Sequence, residues 1–522
     1  MNKKNCIKLI FLFSFFSNQK LFSTFSLRGT SFLNPRSQNT NAADNATGVQ
    51  QYKYKNDWQT DTRNFYGHIA TSLNYSHSYK EKRIAEYFFA TDTLKFTGST
   101  VTSRGQDDIL ADNFGLSTDF DGTIVLKPRI QTIGVQLHAY FAMDNITPGL
   151  YAEIHAPFVN TKWKMKLQET VSENGISTQF PALYMTAAAL TSPVSSIKEA
   201  LKGNTTFGHA TQSLQFGKID GSITKNAIAD IRFLLGYHFI KEEQKTVGFN
   251  LQLVVPTGTK SKSEFLFEPI VGNGHHVELG VGLNSKFDLW EKDGIQKVLL
   301  HVDATMTHLF KSKQKRSFDF IENGFASRYL LLKEFDATGT YTEQLIPAIN
   351  KTTLDCNVSV VMQLDFAIMA RYHYTNWNFD FGYNGWIRTK EKISLKESIA
   401  KNTYGIKGIQ DVSGGSANNT QSSATIHGNS LTVANQALLA DTTTTFLTTN
   451  NIDKKSAANP LAITHKLFTH INYSWNNNNK KYSPFFGIGC AVEFEGTKWN
   501  DSEPNKNAIS QVHFCAKGGI EF

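Results

Sequence analysis

Apolar and polar residues alternate with a period of two along most of this chain. The longest block, 353–371, sets Leu354, Val358, Val360, Met362, Leu364, Phe366 and Ile368 against Asp355, Asn357, Ser359, Gln363, Asp365 and Arg371. A strand turns successive side chains to opposite faces, so this spacing predicts a strand with one apolar and one polar face. Its length exceeds the usual strand of a soluble domain. The same alternation marks 65–75, 131–143, 150–158, 228–239, 246–256, 276–290, 297–310, 377–388, 463–475, 482–495 and 512–522, which makes about twelve strands. In the last block Val512, Phe514, Ala516, Gly518, Ile520 and Phe522 share one face, and His513, Lys517 and Glu521 the other.

The segments between blocks are alternately short and long. Long ones cover 76–130, 160–226, 257–275, 311–352 and 391–462, and short ones include 291–295 and 476–481. Short turns at one end and long loops at the other are the signature of a closed antiparallel transmembrane β-barrel. That is the fold expected for 65–522. A soluble β-sandwich would carry polar outward faces where these are aromatic and aliphatic. An even strand number places both termini on the short-turn side, which in a bacterial outer membrane is periplasmic. The C-terminal strand is then the segment presented to the barrel-assembly machinery, and the apolar faces meet outer-membrane lipid.

Composition fits this reading. The 522 residues include 39 Phe and 18 Tyr but only 12 Pro, and mean hydropathy is -0.31. No apolar run approaches the ~20 residues of a spanning helix. The formal charge is +8, yet Lys and Arg are scattered among acidic residues and Asn, so no nucleic-acid partner is expected. Lys3, Lys4 and Lys8 flank or interrupt a short apolar stretch at 7–16, the pattern of an export signal, placed at 1–25. The polar segment 26–64, rich in Asn, Thr, Gln and Ala, reads as a periplasmic leader with no core of its own. Cys490 and Cys515 fall on opposite faces of neighbouring strands, which disulfide geometry forbids, and Cys356 reads as an apolar filler.

With the apolar faces outward, Asp230, Arg232, Glu278, Lys286, Asp303, Asp365, Arg371, Asp380, Arg388, Lys466, His513 and Lys517 line the lumen. Such a mixed-sign lining either selects a polar solute or pairs internally to seal the barrel. Asp107, Asp108 and Asp112 cluster after Arg104 but lack the spacing of a calcium loop, so no metal or cofactor is expected. His308 and His465 fall on outward faces with no Ser or acid in phase, and the chain is not read as an enzyme. Residues 195–201 could form a short helix that either enters the lumen or lies outside. The segment 410–449, rich in Ser, Thr, Asn, Ala and Gly, reads as a flexible exposed loop.

Three short motifs carry a family resemblance. An Asp before a Gly-Tyr strand (Asp230, Gly236-Tyr237), a Pro-Thr-Gly rim (Pro256-Thr257-Gly258) and a Gly-rich stretch with His (Gly272-Asn-Gly-His-His276) lie within 227–310. The region resembles the uncharacterised transport barrels grouped with phenol meta-pathway channel proteins. The resemblance implies an outer-membrane barrel passing small molecules, whereas the loops of this chain are much longer. The expected function is passive passage of small solutes through a narrow polar lumen. The alternative is a surface adhesin or structural protein acting through its loops.

Overall fold

The computed structural model describes residues 29–39, 41–47, 66–175, 194–407, 418–428, 444–475, 482–496 and 508–522. Twelve strands form the barrel: β1 (Gly67–Ser78), β2 (Arg129–Ala142), β3 (Leu150–Lys164), β4 (Ile231–Lys241), β5 (Lys245–Val255), β6 (Glu278–Lys292), β7 (Gln296–Ser317), β8 (Thr353–Tyr374), β9 (Trp377–Arg388), β10 (Ala462–Ser474), β11 (Ser483–Glu495) and β12 (Gln511–Glu521). Each pairs antiparallel with its neighbour in sequence. The ring closes where β12 meets β1, from His68 opposite Glu521 to Ser78 opposite Gln511. All twelve expected blocks are strands, displaced by a few residues at their ends.

The outward face is apolar, as the alternation requires. Ile69, Leu137, Phe233, Leu251, Val281, Met306, Phe381, Ile471, Ile488 and Phe514 are all exposed. A continuous exposed apolar wall of this kind is built for lipid. Cys490 is exposed on that wall and Cys515 half-buried on the inner face, as their phases demand.

One block is read differently by the structure. Paired bulges interrupt β7 and β8 between Thr307/Leu309 and Leu309/Ser312. Each inserted residue flips the strand, so the interior face passes from odd positions (Asp303, Asp365, Met369, Arg371) to even ones (Ser312, Gln314, Arg316, Leu354, Cys356, Val358). Leu354 and Val358 therefore do not continue a lipid face. They are buried under the long loops, which condense into a folded cap. Its core gathers Phe88 from α2 (Glu81–Phe89), with Phe96, Phe120, Trp163, Phe318, Tyr329, Ile349 and Ile426. A four-stranded sheet built from Thr93–Thr97, Ile109–Leu110, Asp121–Leu126 and Leu167–Glu173 lies in this cap.

The cap also fixes three expectations about loops. The helix expected near 195–201 forms as α3 (Ile197–Lys202), capped by Ser196, and buries Ile197 and Leu201 in the cap core, outside the lumen. Within 410–449, residues 418–428 and 444–449 are described, and Ala424, Ile426 and Leu447 are buried in the same core. The rest of that segment lies outside the described residues. The acidic cluster is dispersed. Asp108 accepts from Thr97 Oγ1 at 2.6 Å and the Gly105 amide at 3.0 Å, while Asp112 is fully buried against Ser99, whose Oγ donates at 2.5 Å.

Two predictions follow from wall and cap. Leu251→Arg places a guanidinium at mid-height on the lipid face and is expected to cost about 2–4 kcal/mol of folding free energy, read by urea titration in lipid vesicles. Burial pushes the Asp112 carboxyl up from its ordinary 3.8 to about 6. A raised folded-state value favours the protonated form, so its contribution to cap stability is full below about pH 3.8 and is lost as pH rises through about 6. Asp112→Asn is expected to flatten that loss, measured as protease resistance of the cap between about pH 4 and pH 8, roughly two units either side of the transition.

Candidate functional site

The lumen is not empty. Part of the segment expected as a periplasmic leader lies inside it: residues 29–39 and 41–47 are largely buried among inward-facing side chains. It starts in the cap, where the Thr30 amide donates to Tyr87 O at 3.1 Å and the Ser31 amide to Ser456 O at 2.8 Å. It then descends to a short helix, α1 (Ala42–Ala46), near the short-turn end. Phe522 lies at that end, hydrogen-bonded to Gly67. Residue 29 and the C-terminus thus sit at opposite ends of the barrel, and residues 1–28, including the expected export signal, lie outside the described residues.

Local sequence explains the shape of this plug. Asn41 caps α1, its Oδ1 accepting the Asp44 amide at 3.1 Å. Ala42, Ala43 and Ala46 are small enough to lie against Ala367, Met369 and Phe468 of the wall. The carbonyls left over at the end of α1 meet cations. Lys517 Nζ donates to Asp44 O at 2.6 Å and Thr47 O at 3.0 Å, and Arg371 donates to Ala46 O at 3.3 Å.

Arg36 is the centre of the plug. Its guanidinium donates to both oxygens of Asp365 at 2.9 and 3.0 Å and to Glu493 Oε1 at 3.1 Å and Asn384 Oδ1 at 2.8 Å. Glu493 in turn faces Lys466 at 3.6 Å and His513 at 3.0 Å and accepts Thr464 Oγ1 at 2.7 Å. Two carboxylates and two permanent cations thus balance in a buried network spanning β8, β10 and β11. Just below, Arg371 and Asp380 form a two-point pair at 2.6 and 2.9 Å.

The three family motifs meet at the rim. Asp230, at φ +64°, accepts the Gly258 amide at 3.3 Å and the Asn273 amide at 2.7 Å, so one carboxylate ties the Pro-Thr-Gly turn to the Gly-Asn-Gly turn. Gly272 lies at φ +87° with the Asp230 carboxylate 2.6 Å from where a Cβ would stand, which only glycine tolerates. The plug docks on this knot: Gln38 donates to Ile270 O at 3.3 Å and accepts the Gly272 amide at 2.9 Å.

The structure places all twelve expected lumen residues on the interior side. Asp230, Asp365, Arg371, Arg388 and Lys517 touch the plug directly, Asp230 through Ser37 Oγ at 3.5 Å and Arg388 through Asn34 O at 2.6 Å. Asp380, Lys466 and His513 act through those contacts. Asp230 is in the rim knot, and Glu278 accepts Asn273 Nδ2 at 2.8 Å beside it. Lys286 pairs with Asp288 at 2.9 Å towards the short turns. Arg232 is buried beside the rim knot, where its charge acts on Asp230, and Asp303 is buried in the wall. Sequence reasoning missed Arg36 and Glu493. Glu493 was legible from its phase, opposite Val492 and Phe494; Arg36 lies in a segment without periodicity. Beside the plug remains a cavity of about 120 Å³ touching Arg36, Gln38, Asp44, Glu493 and His513. That is below the roughly 300–1,000 Å³ of sites for drug-sized molecules.

No protein-family model and no curated protein matches this chain. Among solved structures, an outer-membrane channel from Pseudomonas putida F1 is 10% identical, covering 87% of this chain and 96% of that one with a TM-score of 0.34. The toluene transporter TodX of Pseudomonas putida is 8% identical over 95% of each chain, at 0.32. The outer-membrane protease OmpT from Escherichia coli is 7% identical over 88% of this chain and 96% of that one, at 0.22. The barrel assignment therefore rests on strand pairing, closure and the apolar wall.

Removing Arg36 leaves the buried Asp365 without its cation and Glu493 with Lys466 as its permanent one. Arg36→Ala is expected to cost the plug about 3–5 kcal/mol. Amide hydrogen exchange of 41–47 should then accelerate by roughly 10²–10³-fold while β8 and β11 stay protected.

Proposed function

We propose that this chain is a bacterial outer-membrane channel for small solutes, closed at rest by its own N-terminal segment. The observation that carries this reading is the chemistry of the contact between plug and wall. About eight strands enclose an interior that the wall's own side chains can fill, and twelve enclose more than that. Here the central space is taken by a separate stretch of chain. Its hydrogen bonds and ion pairs with the wall are made at Arg36, Gln38, Asp44 and Thr47, beside one small apolar patch of Ala42, Ala43 and Ala46. Water can replace such contacts on both surfaces once the segment moves, which it cannot do for an apolar seal.

The lining favours a polar or zwitterionic solute. Asp365, Asp380 and Glu493 alternate with Arg371, Lys466 and Lys517 around the path that the plug occupies. Vacating that path would leave charges of both signs facing one another across water, a setting that discriminates by dipole and charge more than by size. The long-loop end would face outwards and the short turns the periplasm.

Conductance in planar bilayers tests the proposal on the refolded chain. The intact protein is expected to show small, infrequent steps, and deletion of 29–47 to give larger and more persistent ones, with Arg36→Ala between them. Silence from all three proteins in bilayers, with each shown to be folded and inserted, would overturn the channel reading and favour a surface role for the cap.

A further inference from the structure

Three neighbouring strands bring a group of imidazoles and one carboxylate together on the inner face, below the plug network and towards the short turns. β3 contributes Glu153 and His155, two residues apart and hence on one face. β2 contributes His138, directly opposite His155 in the register. β1 contributes His68, opposite Tyr140 and two residues before Ala70, which faces His138. His138 Nε2 lies 3.2 Å from Glu153 Oε2, and His155 Nε2 lies 3.3 Å from the same oxygen. All three candidate ligand atoms fall within 4.8 Å of one another.

We propose that His138, Glu153 and His155 form a binding site for a first-row divalent transition ion of the zinc class. A tetrahedral ion with ligands at ~2.0–2.1 Å separates them by about 3.3 Å, which two of the three edges already match. Two imidazoles and a carboxylate are a donor set for zinc or iron, not for calcium or magnesium, which take oxygen ligands. The surroundings add what a bound ion needs. His68 Nε2 stands 3.3 Å from His138 Nδ1, so the far nitrogen of one ligand is held by a hydrogen bond that fixes the ring and its tautomer. His138 and His155 stack with centroids 4.1 Å apart and an interplanar angle of 12°, which holds both Nε2 atoms on the carboxylate side. A cavity of about 10 Å³ touches both rings and is lined on its other sides by Ser72, Gln136, Asp44 and Lys517 among others. That is about the room one water occupies as a fourth ligand.

Simple hydrogen bonding between a buried glutamate and two histidines would give similar distances, and substitution separates the two. In Glu153→Gln the amide still offers an oxygen to both imidazoles but no anionic ligand. Full-length protein, refolded, stripped with a chelator and shown to be folded by its heat-modifiable gel mobility, is titrated with zinc and with calcium by calorimetry. One zinc equivalent and no calcium are expected for the intact chain. Zinc affinity should drop at least 100-fold in His138→Gln, His155→Gln and Glu153→Gln, and about 10-fold in His68→Gln. His308→Gln, on the outer wall, should bind as the intact chain does. Cobalt should give a visible absorption band in the intact protein that the three ligand variants lack. No saturable zinc uptake by the intact chain would overturn the proposal, as would undiminished uptake by a folded Glu153→Gln, or calcium bound as tightly as zinc.

Discussion

Hydrocarbon offers no partner to a peptide N–H or C=O, and every other feature of this molecule follows from that. The twelve strands satisfy one another only because β12 returns to β1, so no edge is left in the membrane. Closure turns the alternation into a division of labour. One residue in two must suit lipid, and the other must suit whatever fills a tube too narrow for bulk water and too wide for its own side chains to pack.

Charge makes that interior demanding. Asp365, Asp380 and Glu493 are carried on three strands and buried, and an unpaired carboxylate there is costly. Arg371 answers one of them from the adjacent strand, with a short two-point contact. The other two stand on strands three apart, β8 and β11. Arg36, on a separate piece of chain, contacts both. The plug is thus the element that completes the electrostatics of the wall, and the wall's cations at the end of α1 complete the hydrogen bonding of the plug.

Strands, their phase and the inward charges were readable from sequence because period two is a local signal repeated twelve times. The reading failed where geometry is not local. The bulges in β7 and β8 reverse the faces without interrupting the alternation, so Leu354 and Val358 looked like lipid-facing positions although they support the cap. Arg36 sits in a stretch with no period at all, and its carboxylates are more than three hundred residues away. The cap's core draws single aromatic residues from several loops, a pattern invisible until the loops are brought together. Glu153 and His155 did carry a signal, two polar residues in step on an inward face, but their partner His138 is named only by the register of β2 on β3.

The direction of the plug has a consequence for how the molecule is made. Residue 29 lies in the cap, α1 lies deeper in the lumen and Gly67 opens β1 at the far end, so the described part of the plug lies inside the ring that β1 and β12 close. A ring sealed first would have to admit this segment lengthwise through a lumen already crowded with Arg371, Arg388 and Lys517. The easier order lays the segment along the open sheet before β1 and β12 zip together. The last pairing to form would then be the one joining the two ends of the strand order, and the barrel would be assembled around its contents, as a coat is buttoned over what it covers.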